Sequence, residues 1–355
     1  MKIEEIKVEA VDEQTGIILK KIVTNRGTFF NRKIAVSNTI YVCEKNRVKL
    51  NRSVIDTPFQ TQHLEWNKSN EEWELTGLKK AKKHAEKNSR FFIPFNQRNQ
   101  SQWNSLDWNE SLEDFKDLLR KTDIVPLYIP ITASLEELDI NKQKALSYLS
   151  EDQELMIALS TKHDIRHFPM IFNSELKSSH FLGVSCYELA NSVELINVGF
   201  MKSLNAKLKV GQSCALIVCL NFPRVMSRHL QVAGSFAFTL FGGDVFSQKS
   251  NFAMDYEKLE DLKPEDIYCY DNKEKKFTKS NAQKVRYGFD ITNGVITNVP
   301  VSEGLDWHQA IKFLSQRLQQ NDLDLINDFL IQKQPLEQEI KNYTGWSVFL
   351  DTINK

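Results

Sequence analysis

Apolar positions along the chain fall into short runs whose period changes from region to region. Ile3 to Val11 alternates, and Ile17–Leu19 and Lys21–Val23 follow, with Asn25-Arg-Gly27 as a turn signal, so the chain opens on a β-rich stretch. Lys33–Val36 and Thr39–Val42 continue the strand character. Residues Glu65–Glu74 are mostly polar, and Leu78–Lys87 consists of good helix formers with a basic face. From residue 91 the texture becomes short apolar runs separated by helical stretches. Phe91–Phe95, Ile124–Ile131, Leu155–Leu159, Phe168–Phe172, Phe181–Val184, Leu195–Val198, Ala215–Leu220 and Asp244–Phe246 predict strands. Ser111–Lys121, with Ser111 as N-cap, Asp139–Ser150 and Arg224–Phe241 predict helices.

Strands apolar on both faces and separated by helices signal a parallel sheet covered by helices. Neither G-x-G-x-x-G nor G-x-x-x-x-G-K-[ST] occurs, which removes the usual marks of a dinucleotide or P-loop sheet. The expected fold class is therefore α/β: a TIM-like (β/α)8 barrel with an N-terminal β-hairpin, over residues 1–250. Residues 251–355 differ in texture. Leu259–Glu265 is polar, Lys273–Arg286 basic, and Trp307–Leu330 reads as one long amphipathic helix, giving a small α+β appendage.

At 355 residues the chain suits one large domain or two ordinary ones, and 41% hydrophobic residues suffice for a sizeable core. Lys plus Arg and Asp plus Glu balance at 46 each, which argues against coating nucleic acid by bulk charge but leaves room for a local basic groove. Five scattered cysteines suit thiols in a reducing compartment. With no apolar signal core at the start and no apolar run of membrane-spanning length, the expectation is a cytoplasmic chain without a membrane partner.

Several segments, in order, resemble the tRNA-guanine transglycosylase superfamily. Gly16 to Phe29 is similar to the family's opening hairpin with its T-x-x-G-x-F wording, and Ala233–Ser247 looks like its last barrel helix and strand, G-x-D-x-F-D-S. Phe181–Glu188 is similar to the G-G-L-x-x-G-E strand beside the bound base, and Asp56-Thr-Pro-Phe-Gln60 to the D-S-G-G-F-Q motif that carries a catalytic aspartate. The resemblance spans most of residues 10–250. It implies attack at a C1′ carbon and cleavage of an N-glycosidic bond, on tRNA or, in a DpdA-like branch, on DNA. Two departures shape the expectation. The family's aspartate nucleophile is Ser247 here, and its C-x-C-x-x-C…H zinc module is reduced to Cys269 and His308, short of four ligands, so no zinc is expected.

Stabilising an oxocarbenium-like sugar and releasing a base calls for carboxylates, for which Asp56, Glu188 and Asp244 are the candidates. Amides suit a base edge, so Asn96, Gln97 and Asn173, together with Gly183 and a stacking Tyr187, form the expected base pocket. Arg224, Lys275, Lys276, Lys284 and Arg286 are candidates for phosphate contact, and the basic runs Lys79–Lys87, Lys202–Lys209 and Lys273–Arg286 could track a phosphate backbone. Solvated charge and turn formation are the plainer alternatives for these positions. His163 and His167 stand four apart but lack a third ligand, so neither metal nor cofactor is expected. The leading expectation is an enzyme cleaving the N-glycosidic bond of a modified base, in DNA rather than tRNA, by excision or exchange. The alternatives are a catalytically inactive nucleic-acid-binding or accessory subunit and an unrelated barrel enzyme with a small-molecule substrate. Oligomeric state is left open, a homodimer being one option.

Overall fold

The computed structural model describes residues 2–36, 57–65, 75–98, 100–119, 121–163, 180–185, 200, 203–206, 215–222, 234–240, 242–248, 267–280 and 304–341. The chain opens with three antiparallel strands, β1 (Ile3–Val11), β2 (Ile18–Thr24) and β3 (Gly27–Phe30), joined in the order β1-β2-β3. This is the alternating N-terminal stretch read from sequence. Its apolar positions Ile3, Ile6 and Ile22 face inward and are buried, while Val8 and Val11 stay exposed.

The parallel strands follow: β4 (Lys33–Ile34), β5 (Phe59–Glu65), β6 (Phe91–Gln97), β7 (Ile124–Tyr128), β8 (Glu154–Ser160), β9 (Phe181–Ser185), β10 (Leu216–Phe222) and β11 (Val245–Gln248). Six of them form one parallel sheet in the order β4-β11-β10-β9-β8-β7, and β5 pairs with β6, also in parallel. A parallel bridge joins Val36, just past β4, to Gln60 of β5. Between β6 and β7 the backbone contact is local: Asp123 N–H donates to Phe92 O at 3.2 Å, and the Asp123 carboxylate accepts from Phe92 N–H. Pro94 in β6 and Pro126 in β7 have no N–H to give, which weakens pairing along that seam.

Helices intervene between the strands, as the alternation of patterns predicts: α1 (Leu75–Lys87), α2 (Gln100–Asn104), α3 (Trp108–Leu119), α4 (Leu135–Leu146) and α5 (Gly234–Leu240). Helix α3 starts three residues before the expected N-cap. Asp107 caps it by accepting from Glu110 N–H, and Ser111 instead lies inside the helix, donating to Tyr128 O. Helix α4 starts four residues before its expected position because Ser134 and Glu137 form a reciprocal capping box.

Alternate side chains of the parallel strands enter two separate apolar clusters. Phe92, Leu127, Ile157, Leu182, Ile217 and Phe246 pack outward against helix residues such as Leu78, Phe115 and Leu138. Their neighbours Phe91, Tyr128, Met156, Phe181, Val218 and Val245 share the other cluster with Ile3, Ile6 and Ile22 of the N-terminal sheet. That sheet lies over the N-terminal ends of the parallel strands. Ile3 N–H donates to Glu154, the first residue of β8, and Lys20 reaches both Ala215 O, just before β10, and Asp244, just before β11.

A hairpin of β12 (Ile267–Asp271) and β13 (Lys276–Ser280) precedes the long helix α6 (Gly304–Ile331), and α7 (Leu336–Lys341) follows. Helix α6 is hydrogen-bonded directly into the N-terminal region. Gln320 accepts from Ile34 N–H at 2.7 Å, Asn327 accepts from Arg32 at 2.6 Å and donates to Asn31 O at 2.8 Å, and Asp324 pairs with Lys33. The boundary read at residue 250 is thus bridged by buried polar contacts. The expected strands Thr39–Val42, Phe168–Phe172 and Leu195–Val198 lie outside the described residues.

Candidate functional site at the C-terminal strand ends

In a parallel α/β sheet the carboxyl ends of the strands collect the side chains that do chemistry. Near the end of β11, Ser247, at the position where the transglycosylase resemblance sets a nucleophile, donates at 2.8 Å to Oγ1 of Thr61, the third residue of β5. Both residues are buried. Ser160 ends β8, with its hydroxyl accepting from Lys162 N–H at 3.2 Å.

A denser cluster joins β6, β7 and β8. Arg98 follows β6 directly and is fully buried. Its guanidinium pairs with Asp114 and, at 3.0 Å, with Glu110, both on α3, and lies 5.2 Å from the Tyr128 ring centroid. Trp103 meets Tyr128 and His163 edge-on at 5.9 and 5.7 Å. His163 Nε2 donates to Ile129 O at 3.0 Å, and its Nδ1 lies 3.0 Å from both the N–H and the carbonyl oxygen of Ser160. Burial pushes its pKa down against the pull of hydrogen bonds to Ser160, Ile129 and Pro130, so the ring is neutral. With both nitrogens committed to backbone groups, His163 braces the ends of β7 and β8 and is not presented to a metal ion.

The expected site residues divide by place. Asn96 and Gln97 are the last two residues of β6, at the carboxyl end. Gly183 is mid-strand in β9, where an added Cβ would stand 2.9 Å from Met156 Sδ and 3.1 Å from Leu220 Cδ1, so it makes room for core side chains. Asp244 sits at the opposite end. It is buried immediately before β11, and its carboxylate accepts from Lys20 Nζ at 2.6 Å, Asn31 Nδ2 at 2.6 Å and Ile217 N–H at 2.8 Å. Those contacts give it a structural part, anchoring the N-terminal sheet to the start of β11. The neighbouring Arg32 guanidinium is pushed down to about 10 by burial, with Asp244 acting against the fall.

Lys275 is likewise buried. Its ammonium meets Asp322 at 2.6 Å in a pocket between the hairpin and α6, so its charge is already paired with a carboxylate. Burial raises the Asp322 carboxyl despite Lys275 and the Tyr270 hydroxyl, which donates to it at 2.8 Å. Lys276 is half-buried and 3.3 Å from Glu274. Asp56, Asn173, Tyr187, Glu188, Arg224, Lys284 and Arg286 lie outside the described residues. Chain position still orders two of them: Asp56 comes before β5, and Glu188 three residues after β9.

Sequence reading missed Arg98, Trp103, Tyr128 and Ser160 as a group. Arg98 stood inside the polar run Asn96–Gln100, and no local spacing links it to Asp114 or Tyr128. No group of acidic, histidine or cysteine side chains suited to a metal ion occurs among the described residues, nor any helix long and apolar enough to cross a membrane. No protein-family model matches the chain, and no curated protein matches it.

Proposed function

We propose that β4 to β11 close into a (β/α)8 barrel, and that the carboxyl ends of its strands form the active centre of an enzyme cleaving the N-glycosidic bond of a base in nucleic acid. Closure is supported by strands that neighbour one another in chain order, by the Val36–Gln60 bridge and by the Asp123–Phe92 contact across the proline-bearing seam. The inward residues of the strands gather in one cluster, as the interior of a small barrel requires. The observation that carries the functional reading is the N-terminal sheet over the opposite end, which leaves the carboxyl ends to receive a substrate.

Asn96 and Gln97 stand at that end, where amides read a base edge, and Glu188 comes three residues after β9 in the chain. In the proposed reaction Glu188 activates water, the C1′–N bond breaks, a C1′–O bond forms and the base departs with a proton. Tyr187 stacks on the extruded base. DNA is favoured over tRNA because the family's zinc module is incomplete, and a modified base is the proposed target.

Pure protein is incubated with tRNA, plain DNA and DNAs carrying modified bases. Free base is read by mass spectrometry and abasic sites by alkali cleavage. The reading expects release from a modified DNA, lost in Glu188→Gln. A second reading, nucleic-acid binding without catalysis, is favoured by Ser247 standing where the resemblance sets a nucleophile, engaged with Thr61. Salt-sensitive binding without release from any substrate selects it, and neither binding nor release sinks both.

A further inference from the structure

Helix α1 divides its surface in a way the fold does not use. Its apolar residues Leu78, Ala81 and Ala85 are buried against β5 and β6, and Gln60 of β5 donates to Ala81 O at 3.1 Å. At 100° per residue these three cover an arc of about 60°. Lys79, Lys80, Lys83 and Lys87 are all exposed and occupy an arc of about 100° centred opposite the buried one. Among the described residues, Glu86 and Asp123 near the helix are met by Lys82, on the flank, at 3.8 and 4.0 Å.

No ion pair is seen for the four outward lysines among the described residues, and the first turn carries no acid. Their spacing also makes them mutual neighbours. Lys79 and Lys83, Lys83 and Lys87, and Lys80 and Lys83 are like-charge pairs at helix spacing, each unfavourable to the helix. Lys79 also acts on Lys121 beyond α3, helping burial to lower that ammonium's pKa while Asp117 opposes both. The chain as a whole is neutral, so this face is a local excess of positive charge.

We propose that the outward face of α1 docks the phosphate backbone of a nucleic acid, in addition to the contacts made at the carboxyl ends of the strands. The inference rests on the proposed function and extends it to a second contact, on the outside of the sheet. A membrane surface fits less well, because Leu78, Ala81 and Ala85, the apolar side chains described in α1, all point inward rather than toward a headgroup layer. Sequence readout is not expected from lysines alone; they supply the salt-dependent, sequence-independent part of binding.

The test uses the full chain and a fluorescent duplex without modified bases, with anisotropy followed from about 50 to 200 mM salt. Four neutralised phosphates contribute a slope of about −3.6 in log K against log salt, so the fourfold salt change weakens binding about 150-fold through them. The variant Lys79→Gln/Lys80→Gln/Lys83→Gln/Lys87→Gln is expected to lose that part of the slope. The control Lys116→Gln/Lys144→Gln/Lys162→Gln, at other exposed positions, is expected to keep the α1 contribution. Matching circular dichroism of all three proteins separates binding from folding. An unchanged slope in the α1 variant overturns the proposal. So does a loss seen only with phosphatidylserine vesicles and not with the duplex. Base release that survives with an unchanged slope overturns α1 docking alone, whereas α1-dependent binding with no release from any DNA overturns the enzyme reading alone.

Discussion

Asp244→Asn separates anchoring from catalysis, and the size of its effect follows from three hydrogen bonds. The carboxylate takes Lys20 Nζ and Ile217 N–H on one oxygen and Asn31 Nδ2 on the other. An amide of the same shape has only one acceptor. With its oxygen toward Lys20, its NH2 faces the NH2 of Asn31; turned round, it presents donors to an ammonium and an N–H. Asn31 cannot turn over cheaply, because its Oδ1 accepts from Lys20 N–H at 2.9 Å and its Nδ2 donates to Ile18 O at 3.0 Å. The substitution also leaves the buried Lys20 ammonium, which donates to Ala215 O, without the carboxylate that balances its charge. Breaking a buried pair from one side costs about 3–5 kcal/mol. With a urea m-value of about 3 kcal/mol/M, that is a fall of about 1–1.7 M in the unfolding midpoint. The joint variant Lys20→Met/Asp244→Leu removes both charges and is expected to recover most of the loss. Urea titration by circular dichroism reads the midpoint, and base release is assayed where every variant is folded. A midpoint within about 0.3 M of the parent, a shift of about 1 kcal/mol or less, combined with lost base release would refute the anchoring role and return Asp244 to the chemistry.

Gly183→Ala must displace Met156 or Leu220, and such overpacking is expected to lower stability by about 1–3 kcal/mol without changing affinity for a base, read by urea unfolding beside a binding titration. His163 titrates lower in the folded chain than its ordinary 6.5, so unfolding takes up a proton as pH falls below that value. Its contribution is present above about 6.5 and is lost as pH falls through the lowered folded pKa. His163→Gln is expected to flatten that limb of a stability–pH curve, and an unchanged curve counts against the neutral brace. Removing the Asp322 charge as Asn leaves Lys275 buried without its carboxylate, and a fall in Tm without loss of duplex affinity is expected.

Where burial alone decides conformation, the sequence is transparent. The runs Phe91–Phe95, Ile124–Tyr128, Leu155–Leu159 and Ala215–Leu220 announce strands because both faces of each are covered. Strand β5 is opaque for the opposite reason. Gln60 points outward but is buried, spending its amide on Ala81 O and the His84 ring, so a position that reads as polar loop is a packed strand position. The start of α4 was legible in Ser134-x-x-Glu137, whose reciprocal bonds fix the first turn, although Asp139 is the more obvious polar boundary. The α6 contacts to Arg32, Lys33 and Ile34 join residues nearly 300 positions apart, and no local pattern carries such a pairing. Nor does the sequence say which end of a strand a carboxylate occupies. Asp244, beside a glycine pair and before an apolar run, looks equally suited to either.

The two ends of the parallel strands differ in how their polar groups are satisfied, and that difference bears on function more than any single residue. Beneath the N-terminal sheet, polar groups are held in defined pairs: the Lys20 ammonium with the Asp244 carboxylate, the His180 ring with Glu154, and the Arg32 guanidinium with the Asn327 amide. A buried pair of this kind adds little net stability over apolar packing, but a misplaced partner is costly. The pairs therefore suit fixing the seat of β1–β3 on the strands, a task that apolar residues such as Ile3 and Ile22 perform with less directional preference. At the carboxyl ends β8 and β11 instead carry neutral hydroxyls, Ser160 and Ser247, with Arg98 held by two carboxylates just past β6. Neutral hydroxyls donate and accept at modest desolvation cost, so their burial demands less of a partner than the burial of charge does. One-sided substitutions beneath the sheet should thus change stability while leaving chemistry intact, and substitutions at the carboxyl ends should do the reverse.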